Sequence, residues 1–161
     1  MNPNLSRAAA TSLLAAACSL AIAQQPKIAP QGSATYVTYY TTQALGALEM
    51  GEAGAGALLQ FTGVTRNPDG ARVFDNMSVR CLVYREALSG KVQVSGSCVE
   101  IDTEGDKVFT TFAGGVHTIV GGSGKYKGIS GTAPFTFSVL PSPGTGLGAM
   151  AVEHRVSWQI K

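Results

Sequence analysis

The sequence predicts an all-β domain built as an eight-stranded antiparallel up-and-down barrel. Three observations carry that expectation. Helical periodicity is nearly absent after the first two dozen residues. Short runs of Val, Thr, Tyr and Phe alternate with glycine-rich turns. Charged residues make up only 14% of the 161-residue chain, against about 25% in an average one, which suits wide apolar faces. Eight strand-like runs in succession favour closure, because a closed sheet has no exposed edge.

The first element is not part of the barrel. Arg7 precedes an Ala- and Leu-rich stretch, Ala8 to Ala23, that closes on Ala21-Ile22-Ala23, small residues where a signal peptidase reads. Residues 1–23 are therefore expected to be a signal peptide. Residues 24–34 would be a flexible leader and 35–161 the barrel of an exported protein, periplasmic or secreted. The stretch is too short and too rich in alanine for a membrane span. Cys18 follows Ala15-Ala16-Ala17, which suits lipid attachment, but the usual large aliphatic residue three positions ahead is missing. Without Arg7 the charge is close to balanced and no basic block is left, which argues against nucleic acid as a partner.

The strands are expected at Thr35–Thr42, Ala57–Arg66, Arg72–Glu86, Lys91–Asp102, Lys107–Phe112, His117–Val120, Gly131–Leu140 and Ala149–Ile160. Between the first two, Gln43 to Glu49 has a helix-like composition. Gly46, Gly51, Gly54 and Gly56 work against a helix, so a long loop with at most one helical turn is expected. Asn67-Pro68-Asp69-Gly70 and Asp102-Thr103-Glu104-Gly105-Asp106 are turn signals, and Pro141 to Gly146 is a flexible connection.

One hairpin can be worked residue by residue. A two-residue loop at Ser89-Gly90 sets Leu88 opposite Lys91, and stepping back along both strands sets Cys81 opposite Cys98. That is a non-hydrogen-bonded pair, with Cα atoms about 4.5 Å apart, a span a disulfide bridges. An even pair of cysteines in an oxidising compartment agrees. Two cysteines and two histidines without close spacing make a poor zinc site, so no metal is expected.

The same register assigns faces. Val73, Asp75, Met77, Val79, Cys81, Val83, Arg85 and Ala87 share a side, facing Val92, Val94, Gly96, Cys98 and Glu100. This side is mostly apolar and should point inward, with Arg85 near the turn and Asp75 and Glu100 toward the far, solvated rim. In the last strand Met150, Val152, His154, Val156, Trp158 and Ile160 form an apolar row in which His154 is the exception.

The stretch GGSGKYKGISG, residues 121–131, poses a question of chemistry. A phosphate loop of the GxxxxGK[ST] type needs Gly five positions before Gly124 and Ser or Thr after Lys125; the chain has Ile119 and Tyr126, and no helix follows. The stretch reads instead as a corner between strands. This corner, with the strands around it from 107 to 140 and the eight-strand meander, resembles the allene oxide cyclase and dirigent barrel families. The resemblance implies an eight-stranded antiparallel barrel, often trimeric, with an apolar cavity and no cofactor. Neither family's catalytic pattern can be matched here residue by residue.

An eight-stranded barrel is just wide enough to be filled by side chains or to hold one small ligand. Tyr36, Tyr39, Phe135, Phe137 and Trp158 are the candidate ligand-binding wall, with Tyr40 beside them, and His154, Glu100 and Asp75 are the candidate acids or bases. No GxSxG elbow or triad spacing supports hydrolysis. Three readings stay open: a barrel that binds a small apolar molecule unchanged, a cofactor-independent cyclase or isomerase, and a filled-core envelope protein acting through its surface. The rows Ala133, Phe135, Phe137, Val139 and Met150 to Trp158 supply bulk, while Gly63 and Gly96 leave space. A cavity above about 300 Å³ would favour the first two readings.

Overall fold

The structure is a computed structural model that describes residues 28–69 and 73–161. The proposed signal peptide and Cys18 lie outside the described residues. Eight strands follow one another around a closed antiparallel barrel. They are β1 (Gln31–Glu49), β2 (Gly54–Arg66), β3 (Ser78–Leu88), β4 (Lys91–Ile101), β5 (Lys107–Ala113), β6 (Val116–Gly122), β7 (Ile129–Leu140) and β8 (Leu147–Ile160). Pairing of β1 with β8, from Gln31↔Gln159 to Gln43↔Leu147, closes the barrel. No helix among the described residues is long and apolar enough to cross a membrane.

Three boundaries differ from the sequence expectation by four residues or more, the others by three or fewer. β1 starts at Gln31, so residues 31–34 are strand rather than leader, and it runs on to Glu49 through the expected loop. The register slips between Ala44 and Gly46, and Gly46↔Leu58 to Glu49↔Ala55 then continue the ladder. The glycines that argue against a helix there are tolerated in a half-exposed ladder that takes its bonds from the partner strand. β3 starts at Ser78 rather than Arg72. Phe74 and Asn76 both have φ of 54°, which breaks the strand's alternation and turns Phe74 inward in place of its neighbours. The loop is pinned by Met77 N–H donating to Thr65 Oγ1 at 2.9 Å and by Asn67 N–H donating to Asp75 at 2.9 Å.

The worked hairpin has the expected register: Leu88↔Lys91 through Cys81↔Cys98. Ser89 and Gly90 both have positive φ, as the favoured two-residue turn requires. Cys81 and Cys98 are disulfide-bonded with Cα atoms 4.0 Å apart.

The interior is layered. The end that carries the β2–β3, β4–β5 and β6–β7 connections is plugged by Phe74, Met77, Val108, Ile119, Tyr126, Ile129, Val156 and Trp158 around Tyr36. Phe74 stacks on Tyr36 with ring centroids 5.3 Å apart and meets Trp158 edge-on at 5.6 Å. A second cluster, Tyr40, Val79, Cys81, Val83, Cys98, Phe112 and Val152, occupies the middle. The opposite end, where the other four hairpins turn, is open. There β5 and β6 are only seven residues each. The β4–β5 ladder begins at Ser95 and the β6–β7 ladder ends at Pro134, so the wall dips on that side.

The glycine-rich corner does hold an anion, but an internal one. Gly124 adopts φ of 56°, and Lys125 N–H donates to the Asp106 carboxylate at 3.0 Å. Lys125 Nζ reaches Asp102 at 2.7 Å and Glu104 at 3.0 Å. The three carboxylates Asp102, Glu104 and Asp106 converge closely, and the lysine ammonium bridges two of them. The place a phosphate would take is filled by the β4–β5 turn.

The disulfide closes a loop of 17 residues, and removing it should cost about 3 kcal/mol in the loop-entropy account. A C81S/C98S double variant is expected to show that loss in urea unfolding. Non-reducing mass spectrometry of protein produced by export to a bacterial periplasm should give a mass two hydrogens below the reduced form; free thiols would contradict the assignment.

Candidate functional site

The open half of the barrel contains a cavity of about 400 Å³. It begins at a mouth formed by Thr42, Arg85, Val92, Val94, Phe137 and Met150, and narrows to Leu59, Phe61, Phe112, Phe135, Val152, Tyr40, Cys81 and His117. These side chains meet because each sits on the inward row of its strand. Arg85 is the one charged residue in this lining, and it is exposed at the mouth. The expected space at Gly63 and Gly96 is not where the cavity lies. A Cβ at Gly63 would stand 2.9 Å from the Tyr40 ring, and one at Gly96 would stand 2.8 Å from the Phe112 ring. The two rings lie over the two glycines and form part of the cavity floor.

The candidate residues separate by depth. Phe135 and Phe137 line the cavity, Phe137 at the mouth with 63% of its surface exposed. Tyr39 points outward from the barrel and is half exposed, because Tyr36, Thr38 and Tyr40 take the inward positions. Tyr36 and Trp158 are inward but belong to the plugged end, with the Trp158 indole N–H donating to Ala29 O at 3.0 Å. Asp75 sits in the β2–β3 loop and serves that loop's turn. Glu100 is not at a solvated rim: it is 3% exposed, below the cavity floor. Loop residues 73–77 and the Tyr126 turn cover the end that would otherwise have been that rim.

A buried polar layer thus lies between plug and cavity. Tyr36 donates its hydroxyl to Glu100 Oε1 at the long distance of 3.5 Å, and Glu100 Oε2 has no partner among the described residues. Burial pushes the Glu100 carboxyl up to about 7, with the Tyr36 hydrogen bond opposing it. The same burial, with Glu100 beside it, drives the Tyr36 hydroxyl well above its ordinary range. His154 stacks on Tyr36 at 4.6 Å, and neither of its ring nitrogens has a partner among the described residues. Burial, and secondarily His117, push it down to about 3. His117 meets His154 edge-on at 5.0 Å and lies at the cavity floor, with Thr110 Oγ1 3.1 Å from its Nδ1. Burial pushes His117 down to about 4, so both imidazoles are neutral near pH 7.

His117 and Tyr40 are the polar groups of the floor, and His117 was not among the sequence candidates. A usable signal was present. A two-residue loop at Gly114-Gly115 sets Phe112 opposite His117, as the ladder shows, by the same count that paired the cysteines. Phe112, Leu59 and Phe61 follow from the same face assignment.

A scan against protein-family profiles finds no match, and neither does a comparison with curated proteins. Among solved structures, the chain is similar to a pterocarpan synthase dirigent protein. That similarity has a TM-score of 0.51 and 12% identity, and covers 84% of this chain and 89% of the other. A second pterocarpan synthase dirigent protein is similar over 83% of this chain and 99% of its own, at 12% identity and a TM-score of 0.48. The fold is therefore a dirigent-like barrel.

A buried acid with a raised pKa destabilises the fold where it must ionise. Glu100 in the unfolded chain loses its proton near pH 4.5 and in the folded one near 7. Its contribution to stability is full below about pH 4.5, falls between 4.5 and 7, and is lost above; the loss approaches about 3 kcal/mol. The two histidines work oppositely, losing stability as pH falls below about 6.5. Glu100→Gln removes only the first effect. Its stability relative to wild type should therefore rise between pH 5 and pH 8 in urea titrations. A constant difference at both values would contradict the burial assigned to Glu100.

Proposed function

We propose that this chain is an exported barrel that takes a small apolar molecule into its open half and holds it without changing it. The cavity carries this reading: about 400 Å³, walled almost wholly by carbon and open at one end. That volume falls in the range of small-molecule sites. Export is supported by the Cys81–Cys98 disulfide, a bond that persists in oxidising compartments, and by the signal-like stretch before Gln24. The pterocarpan synthase dirigent protein shares the fold at 12% identity, and its chemistry is not carried over.

One observation favours the alternative of a cofactor-independent cyclase or isomerase. Glu100 is a buried acid displaced toward neutrality, the kind of group such chemistry uses. It lies behind the floor, however, beneath Tyr40 and the disulfide, and does not line the cavity. Binding is the reading that the geometry supports better. The filled-core reading fits the plugged half alone.

Native mass spectrometry of the mature protein, purified gently from an exporting host, is expected to show a co-purified small molecule released on denaturation. A clean apo mass with no uptake from a mixture of fatty acids and terpenoids would overturn the reading. A blocking variant checks the place. Met150→Trp should weaken uptake of the neutral dye N-phenyl-1-naphthylamine about tenfold or more, equivalent to about 1.4 kcal/mol. Tyr39→Ala, on the outer face, should leave uptake unchanged.

A further inference from the structure

The cavity floor presents one polar atom fixed in direction. His117 is held on several sides. Its Nδ1 is 3.1 Å from Thr110 Oγ1, its ring stacks on Phe112 at 4.8 Å, and Phe135 and His154 meet it edge-on at 5.2 and 5.0 Å. With Nδ1 engaged by the wall, Nε2 is the free corner of the ring. It has no hydrogen-bond partner among the described residues. Unlike both nitrogens of His154, it is not sealed away from solvent-sized space. The cavity is a space of that kind that His117 lines. Tyr40 is a weaker candidate for a polar contact, because its hydroxyl already faces Cys81 Sγ at 3.8 Å.

Resting on the binding reading above, we propose that the ligand carries one uncharged hydrogen-bonding group, a hydroxyl or a carbonyl. It enters with that group leading, so that the group meets Nε2 of His117. Three features of the site select an uncharged head. His117 is neutral at ordinary pH and offers an anion no positive charge. The one cationic side chain of the lining, Arg85, stands at the mouth and not at the floor. Beyond the floor lies the buried carboxyl of Glu100. A charged head would lose its hydration without gaining a partner at this depth. An uncharged one replaces a water hydrogen bond with that of Nε2.

The tautomer sets which head groups are accepted. If Thr110 donates to Nδ1, the proton sits on Nε2, and Nε2 donates to a carbonyl or a hydroxyl. If Thr110 accepts from Nδ1–H, Nε2 is an acceptor and only a hydroxyl donates to it. A hydroxyl satisfies both forms, so it is the common member of the class.

The test compares 1-octanol, 2-octanone and n-octane as displacers of N-phenyl-1-naphthylamine from the mature, disulfide-bonded chain and from its His117→Phe variant. Phenylalanine keeps a ring of similar shape and removes Nε2. The variant should bind 1-octanol roughly fivefold to tenfold more weakly, the effect of one neutral hydrogen bond, while n-octane is unaffected or bound more tightly. The response of 2-octanone reports the tautomer. It should follow 1-octanol if Nε2 carries the proton and n-octane if it does not. Equal effects of the substitution on 1-octanol and n-octane would overturn the proposal. Failure of all three compounds to displace the dye from wild type would overturn the binding reading, and this proposal with it. Should the variant not fold, wild-type protein with ¹⁵N-labelled histidine answers the same question. The Nε2 resonance of His117 should shift with 1-octanol and not with n-octane; an Nε2 unmoved by 1-octanol would overturn the proposal.

Discussion

The ladder between β1 and β8 is the interaction on which the rest of this structure depends. It joins the first strand to the last, from Gln31↔Gln159 to Gln43↔Leu147, and turns a meander into a cylinder. Once closed, each strand has an inward and an outward row, and the width of the interior is set by strand number rather than by side-chain size. The chain meets that fixed width in two ways. At one end it inserts Phe74 and Tyr126 from connections, where strand residues alone would not reach the centre. At the other none of the described connections turns inward, and the wall lines the cavity.

Between these halves the inward rows carry Glu100, His117 and His154, all buried. A core built for stability alone would place hydrocarbon there, since unpartnered polar groups cost about 1–3 kcal/mol each. The layer is therefore a net expense to the fold. The disulfide one step above it, between adjacent strands, and the aromatic plug below it offset that expense from both sides. Removal from water is the largest cause of every pKa displacement in the layer and favours the uncharged form of each group.

Much of the fold was legible in the sequence because strand pairing is counted in whole residues. The Ser89-Gly90 turn and two cysteines determined one register, and the faces of β3 and β4 followed; the faces of β8 were read from that strand's own alternation. What could not be counted was missed. The β-bulge near Leu45 hides the second half of β1 behind a helix-like composition. Positive φ at Phe74 and Asn76 inverts the alternation just where Asp75 was expected to face inward. Tyr39 and Tyr40 are adjacent and chemically alike, and only their pairing partners tell inside from outside. The site was less legible than the fold for a related reason. In the run His117-Thr118-Ile119-Val120 both faces carry an apolar residue, so pattern alone does not say which way the histidine points. Depth was illegible altogether: whether Glu100 lies at a rim depends on a loop folded over it, and nothing in β4 records that.

The shortness of β5 and β6 has a consequence for the protein among its own copies. Residues 91–94 of β4 and residues beyond Phe135 in β7 continue past the last rung of that hairpin. Their main-chain amides and carbonyls on that side have no neighbouring strand, although the cylinder as a whole is closed. Such an edge is a template on which a foreign strand can zip, and the exposed side chains of Val92, Phe137 and Val139 make it a sticky one. The chain limits the hazard by punctuation: Pro134 stands at one end of the β7 stretch and Pro141 at the other, and Lys91 begins the β4 stretch. The dip in the wall beside the cavity is thus also a gap in the defence against aggregation, guarded by two prolines and a charge.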